Sequence, residues 1–158
     1  MTNSALQTKV TVYLDAQQVQ YRLLPHATPA VSVADAARQR GIRQSQMVKS
    51  ILLRDMSDLF VLACVPGDQS VDPKKVRSLL NSRRMTCADA STIIELTGYQ
   101  VGTVTPLLLP HPMPIIFDSR LLQEREVTIS SGSHLAGVAL NCQDLIKLCK
   151  PTLADICR

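Results

Sequence analysis

The 158-residue chain has no tryptophan, and aromatic residues make up only 3% of it. Proteins that grip single-stranded nucleic acid stack bases on exposed aromatic faces. A nucleic-acid partner here would be held by its backbone and its end instead. No apolar run approaches the roughly 20 residues that a membrane-spanning helix requires. Met1–Ser4 is polar and lacks the charged and apolar regions of a signal peptide, so a cytoplasmic location without membrane attachment is expected. No Cys-x-x-Cys pair occurs, and the five cysteines (Cys64, Cys87, Cys142, Cys149, Cys157) have no histidine spacing that builds a zinc site. Reduced, mostly buried thiols are the expectation.

What is present suits one domain spanning 1–158, with 46% hydrophobic and 19% charged residues. The net charge of +4 permits a polyanionic partner without demanding one. Arg38, Arg40 and Arg43 form one basic cluster, Lys74, Lys75 and Arg77 a second, and Arg83 with Arg84 a third. Each reads as a solvated surface rather than a phosphate track.

Periodicity and turn signals divide the chain into short elements. Ser4-Ala5-Leu6-Gln7 reads as a capping box for a first helix running to about Gln18, and Val19–Leu24 as a strand ending at Pro25-His26. Ser32 opens a second helix that Gly41 stops. Lys49–Arg54 and Leu59–Val65 form a hairpin-like pair around Met56-Ser57-Asp58. Asp72-Pro73 starts a third helix with proline at its first position, and Met85–Ala88 is a short strand. Three prolines make Leu107–Met113 an extended connector. Pro114–Asp118 is a strand, Arg120–Gln123 a helical turn, Val127–Ser130 a strand and Ser131-Gly132-Ser133-His134 a glycine-marked loop. Val138–Leu140, a helix capped by Asn141, and Thr152–Ile156 complete the list. This irregular mixture predicts an α+β fold on a mixed, strongly curved sheet.

One stretch carries more chemistry than the rest. Asp89 can cap a helix containing Ile93, Ile94 and Leu96, which Gly98 stops. The chain then runs Tyr99-Gln100-Val101-Gly102-Thr103-Val104-Thr105-Pro106. Glycine leaves backbone N–H groups open to a ligand, and such groups stabilise the oxyanion of ester chemistry. Gly-x-x-x-Pro alone is a weak signal.

The ordered set is stronger. Met47-Val48-Lys49-Ser50 enters a strand, followed by Thr97-Gly98-Tyr99, Gly102 and Pro106. Ile115-Ile116-Phe117-Asp118, Ser130-Ser131-Gly132 and Gln143-Asp144-Leu145 come next. This order resembles the YbaK/EbsC family of aminoacyl-tRNA deacylases, related to the editing domain of bacterial prolyl-tRNA synthetases. The resemblance implies that fold and a trans-acting hydrolase for the ester of a mischarged tRNA. The implied partner is the 3′ aminoacyl end of tRNA; a synthetase partner and the oligomeric state stay open. The family's invariant lysine falls on Lys49 and its loop glycine on Gly102, with Pro106 closing the motif. Ser130, Ser131 and Gly132 fall on its glycine-containing strand end. No cofactor or metal is implied, and the nucleophile is water or a group of the substrate.

Read as chemistry, Lys49 is a compact cation for a phosphate or a developing negative charge, and Gly102 offers oxyanion donors. Thr103 and Thr105 carry hydroxyls beside the loop. His134 follows Gly132, and His26 lies between Pro25 and Ala27; either imidazole could line the site. His111, in the proline-rich connector, is expected to be structural or exposed. The chain departs from the family where Leu107-Leu108-Leu109 follows Pro106, where Thr103 replaces a common glycine, and where Gly137 replaces an acidic residue of cysteine-specific members. These departures leave the preferred amino acid open. The alternative to an enzyme is a non-catalytic module that binds a tRNA end or a protein in the same cleft.

Overall fold

Eight strands and five α-helices follow one another along residues 6–158, the part of the chain that the computed structural model describes. Helix α1 (Lys9–Ala16) is capped by Thr8, whose side chain accepts from Thr11 N. The expected cap at Ser4 lies outside the described residues, and the helix begins at Lys9, later than its sequence suggests. Strand β1 (Tyr21–Pro25) leads to α2 (Val33–Arg40), which has Ser32 at its N-cap and Gly41 in the left-handed region at its C-cap, as expected. A 3₁₀ turn at Gln44–Gln46 precedes the hairpin of β2 (Val48–Asp55) and β3 (Phe60–Pro66). Helix α3 (Pro73–Leu80), strand β4 (Met85–Cys87) and helix α4 (Ala90–Thr97) follow, the helices capped by Asp72 and Asp89. After the connector come β5 (Ile115–Asp118), a 3₁₀ segment at Ser119–Gln123, β6 (Glu126–Ser133), β7 (Ala136–Asn141), α5 (Cys142–Cys149) and β8 (Thr152–Ala154).

The α+β class is as expected, and the strands divide between two sheets rather than forming a single strongly curved sheet. One is antiparallel with order β1-β7-β6; the other is mixed with order β4-β2-β3-β5-β8, in which β3–β5 and β5–β8 are parallel. A bridge between Met47 and Thr128 joins them. The five-stranded sheet is covered on both faces. Leu52, Leu62, Cys64 and Phe117 enter one core cluster, while Leu53, Val61, Ala63, Val65 and Ile116 enter another. That explains why Val61–Val65 is apolar throughout rather than alternating. Each fully buried Leu or Val contributes about 1.5–3 kcal/mol, so the hairpin is the stable frame on which Lys49 is carried.

A second departure concerns Ser131-Gly132-Ser133. It is no loop but the end of β6, where the register with β7 slips between Ser130 and Ser133. Such a bulge bends the strand end and re-aims its side chains. The turn proper is His134-Leu135.

Candidate active site

Where the two sheets meet, a cleft of about 520 Å³ opens. One wall is largely apolar, with Val48, Ile51 and Leu52 from β2, Ile93 from α4, and Val101 and Val104 from the loop after α4. The other wall is polar: His26 after β1, Arg40 at the end of α2, Ser130 and Ser133 on β6, and His134 in the turn. No aspartate or glutamate is among the lining residues, while Lys49 and Arg40 both are. With no carboxylate to neutralise those cations, the cleft favours electron-rich ligands.

Lys49, on β2 opposite Val65 in the hairpin, is among the residues that line the cleft. It is half-buried, and its ammonium donates to the carbonyl of Gln69. A neutral acceptor holds the side chain in place without cancelling its charge.

Gly102 lies at the third position of a tight turn. Thr103 N donates to Gln100 O at 2.9 Å, and Gly102 has φ +88°. This positive φ is what a type II turn requires at that position, and glycine supplies it without strain. The Thr103 hydroxyl also donates to Gln100 O at 2.9 Å, clamping the turn from beneath. The Gly102 N–H has no acceptor among the described residues.

The polar wall is a connected chain. Arg40 Nε donates to His26 Nε2 at 3.1 Å, which leaves the His26 proton on Nδ1, and Nδ1 donates to His134 O at 2.7 Å. Burial first, and the charge of Arg40 as well, hold the His26 imidazole below its ordinary pKa, against the opposing pull of the His134 carbonyl. Arg40 Nη1 donates to Thr128 Oγ1 at 3.0 Å, and burial pushes its guanidinium down to about 10.

Of the residues singled out in the sequence, Lys49, Gly102, Ser130, His134 and His26 line this cleft together. Thr103, Thr105, Pro106 and Gly132 do not. Thr103 and Thr105 are buried beneath the loop, and Pro106 O accepts from Cys149 Sγ at 3.3 Å. Gly132 turns its open side to the core, where a Cβ would meet Tyr99 Cε1 at 3.3 Å. His111 is exposed on the connector. A larger, shallower hollow of about 780 Å³ crosses α1 and β1, but its Arg22 is already paired with Glu126 at 2.6 Å. Its cation is thus paired with a carboxylate, and Asp15 and Asp144 add further carboxylates to its lining, so the smaller cleft is the better candidate for an electron-rich ligand.

The family model for the aminoacyl-tRNA editing domain matches residues 27–148. The chain belongs to this family. Among relatives of this editing domain, a Bacillus subtilis protein described as uncharacterized YwhH is 26% identical over 83% of each chain. The Multifunctional Ser/Thr-tRNA deacylase ProXp-y of Escherichia coli K12 is 25% identical over 98% of this chain and 95% of its own. The proline–tRNA ligase of Kosmotoga olearia is 28% identical over 72% of this chain, which corresponds to 20% of the ligase. The crystal structure of the hypothetical protein APE2540 superposes with a TM-score of 0.87 at 28% identity, covering 96% of this chain and 100% of that one. That of a candidate trans-editing enzyme for prolyl tRNA synthetase gives 0.83 at 25% identity, covering 100% and 99%.

Two features of this editing domain escaped the sequence. Arg40 reads there as one charge of a solvated cluster, yet it is half-buried against the cleft. The signal lay in β7, where a glycine interrupts an apolar strand; a strand glycine often marks a close approach by something else. Cys87 is exposed and lines the cleft. The other thiols are poor nucleophiles, since burial pushes Cys64 up to about 12 and raises Cys149 further. Among the described residues, no helix is long and apolar enough to cross a membrane.

Proposed function

We propose that this editing domain acts in trans as a deacylase, hydrolysing the ester between a wrong amino acid and the 3′ end of a tRNA. The observation that carries this reading is that Lys49 and Gly102 line one carboxylate-free cleft. Lys49 holds a phosphate oxygen of the terminal nucleotide. The free Gly102 N–H faces the ester carbonyl and takes up the charge that develops on its oxygen, a contribution of about 3–4 kcal/mol by analogy with measured oxyanion holes. His134, beside Gly102, orients the attacking water. Water adds to the carbonyl carbon, the ester C–O bond breaks, the ribose hydroxyl leaves with the proton that the water gives up, and the free amino acid departs.

The apolar wall sizes the acyl group and keeps bulk water out. Size alone discriminates by only about 1–3 kcal/mol per methylene, which is why a second sieve is useful after aminoacylation. The name of the Escherichia coli relative places seryl- and threonyl-tRNA first among substrates to try.

A panel of mischarged tRNAs, incubated with wild type and Lys49→Ala, tests the reading. Release of amino acid from at least one tRNA by wild type, lost in Lys49→Ala, is expected. Tight tRNA binding with no turnover on any member would replace the enzyme by a binding module.

A further inference from the structure

The guanidinium of Arg40 is fixed on two sides and unused on the third. Nε is committed to His26 and Nη1 to Thr128, and Nη2 has no acceptor among the described residues. Thr105 Oγ1 is the one side-chain polar atom there that is both sealed from solvent and unpartnered. The spare Nη2 edge is therefore open, on a residue that lines the cleft. Among the described residues Arg40 has no carboxylate partner either; Arg38 and Arg43 of the same cluster pair with Asp35 and Glu124.

Room for this side chain has been made in the opposite element. A Cβ on Gly137 would overlap Arg40 Nε and Cζ and come within 2.8 Å of its Cδ. Gly137 pairs with Leu24 on one side and with Ser130, at the edge of the β6 bulge, on the other, and it has no positive φ. Its lack of a side chain thus serves space rather than backbone conformation. A half-buried cation is costly without an acceptor, and this one is held rigidly with one edge free.

We propose that Arg40 is a specificity-determining residue of the cleft, donating its free edge to an oxygen on the side chain of the acyl group, a carboxylate or a hydroxyl. This rests on reading the cleft as the aminoacyl-ester site. Lys49 takes the nucleotide and Gly102 the carbonyl, and the acyl side chain lies between the apolar wall that sizes it and the Arg40–His26–His134 wall, which offers it a polar contact. An alanyl group leaves the Nη2 edge without a partner; a seryl or aspartyl group satisfies it.

The test uses stable amide analogues in which seryl, aspartyl or alanyl is joined to 3′-amino-3′-deoxyadenosine, with adenosine 5′-monophosphate as a fourth probe. Calorimetry gives their Kd values for wild type, Arg40→Met and Gly137→Ala, the last of which displaces the guanidinium while leaving Arg40 in the chain. Wild type is expected to bind at least one oxygen-bearing analogue about 10- to 100-fold more tightly than the alanyl one. Both variants are expected to lose that margin while keeping their affinity for the alanyl analogue, a ratio that a purely structural role would leave unchanged. If Arg40→Met does not fold, Gly137→Ala decides alone. No margin in wild type overturns the proposal. So does an equal loss for all probes, adenosine 5′-monophosphate included, because the oxygen would then belong to the nucleotide. Analogue binding by a protein that hydrolyses no aminoacyl ester would refute the deacylase reading and leave Arg40 tested. No binding of any probe would overturn both.

Discussion

The imidazole of His134 rests against the bare α-carbon of Gly102: a Cβ at that position would lie 3.3 Å from His134 Cε1. The turn after α4 and the turn between β6 and β7 therefore meet in the cleft, and a methyl group between them would require His134 to give by a few tenths of an ångström.

Gly102→Ala meets two costs together, the φ of +88° and the crowding of His134. The strain amounts to about 1–3 kcal/mol. Thermal unfolding should record a loss of that size. Deacylation should fall further, by about 10²–10³-fold, because a reshaped turn misplaces the N–H group. Unchanged kcat with full stability would remove Gly102 from the mechanism.

Lys49 gives the opposite pattern. Among the described residues its ammonium makes one bond, to the Gln69 carbonyl, from a half-buried position. Lys49→Ala should change stability by less than about 1 kcal/mol while abolishing turnover. If the lysine holds a phosphate, the salt dependence of tRNA binding should become shallower by about one counterion. An unchanged slope, measured by filter binding across a salt series, would argue against a phosphate contact.

His26 makes stability depend on pH. The unfolded imidazole titrates at about its ordinary 6.5, and in the fold its pKa lies lower. As pH falls the unfolded state takes up the proton first, so stability present above about 6.5 is lost as pH drops through the lowered folded value. Denaturant melts of wild type between pH 7 and 4.5 should show this decline, and His26→Gln should flatten it. The carboxylates of Asp35, Asp55, Asp89 and Asp118 are held below 3.8 and lose their contribution only at lower pH.

Asp118 is a structural anchor. Its carboxylate accepts from Ile156 N at 2.8 Å, Cys157 N at 3.0 Å and Arg120 N at 2.9 Å. Burial raises its pKa, and these amides with the Arg120 guanidinium outweigh burial and hold it below 3.8. Asp118→Ala should cost roughly 2–4 kcal/mol, by exposing three unpaired donors at the C-terminal segment. Its stability contribution is present above 3.8 and fades as pH falls, so the variant should also show a weaker acid transition.

The thiols should separate by reactivity. Cys64, Cys142, Cys149 and Cys157 are pushed up by burial, while Cys87 is exposed on the rim of the cleft. Iodoacetamide at pH 7.5 should add one label to the native protein, and peptide mapping should find it on Cys87. Comparable labelling of Cys64 would contradict the packing of the hairpin core.

The chain by itself determined its caps, turns and hairpin. Ser32, Asp72, Asp89 and Asn141 each supply a side-chain oxygen to amides that would otherwise be orphaned, and Gly41 and Gly98 adopt the left-handed conformation that stops a helix. Those effects act within four residues, so spacing reveals them. The family pattern around Lys49 and Gly102 was equally visible because it is carried by residue order. Only the tertiary structure decided that the sheet is two sheets, that Gly132 faces Tyr99, and that Arg40 leaves its surface cluster for the cleft. Arg40 and Gly137 are far apart in the chain, and a strand glycine signals a close approach without saying which residue makes it. Whether a cation is solvated or a glycine is filled depends on which element folds over it, and that is settled only when the two sheets pack.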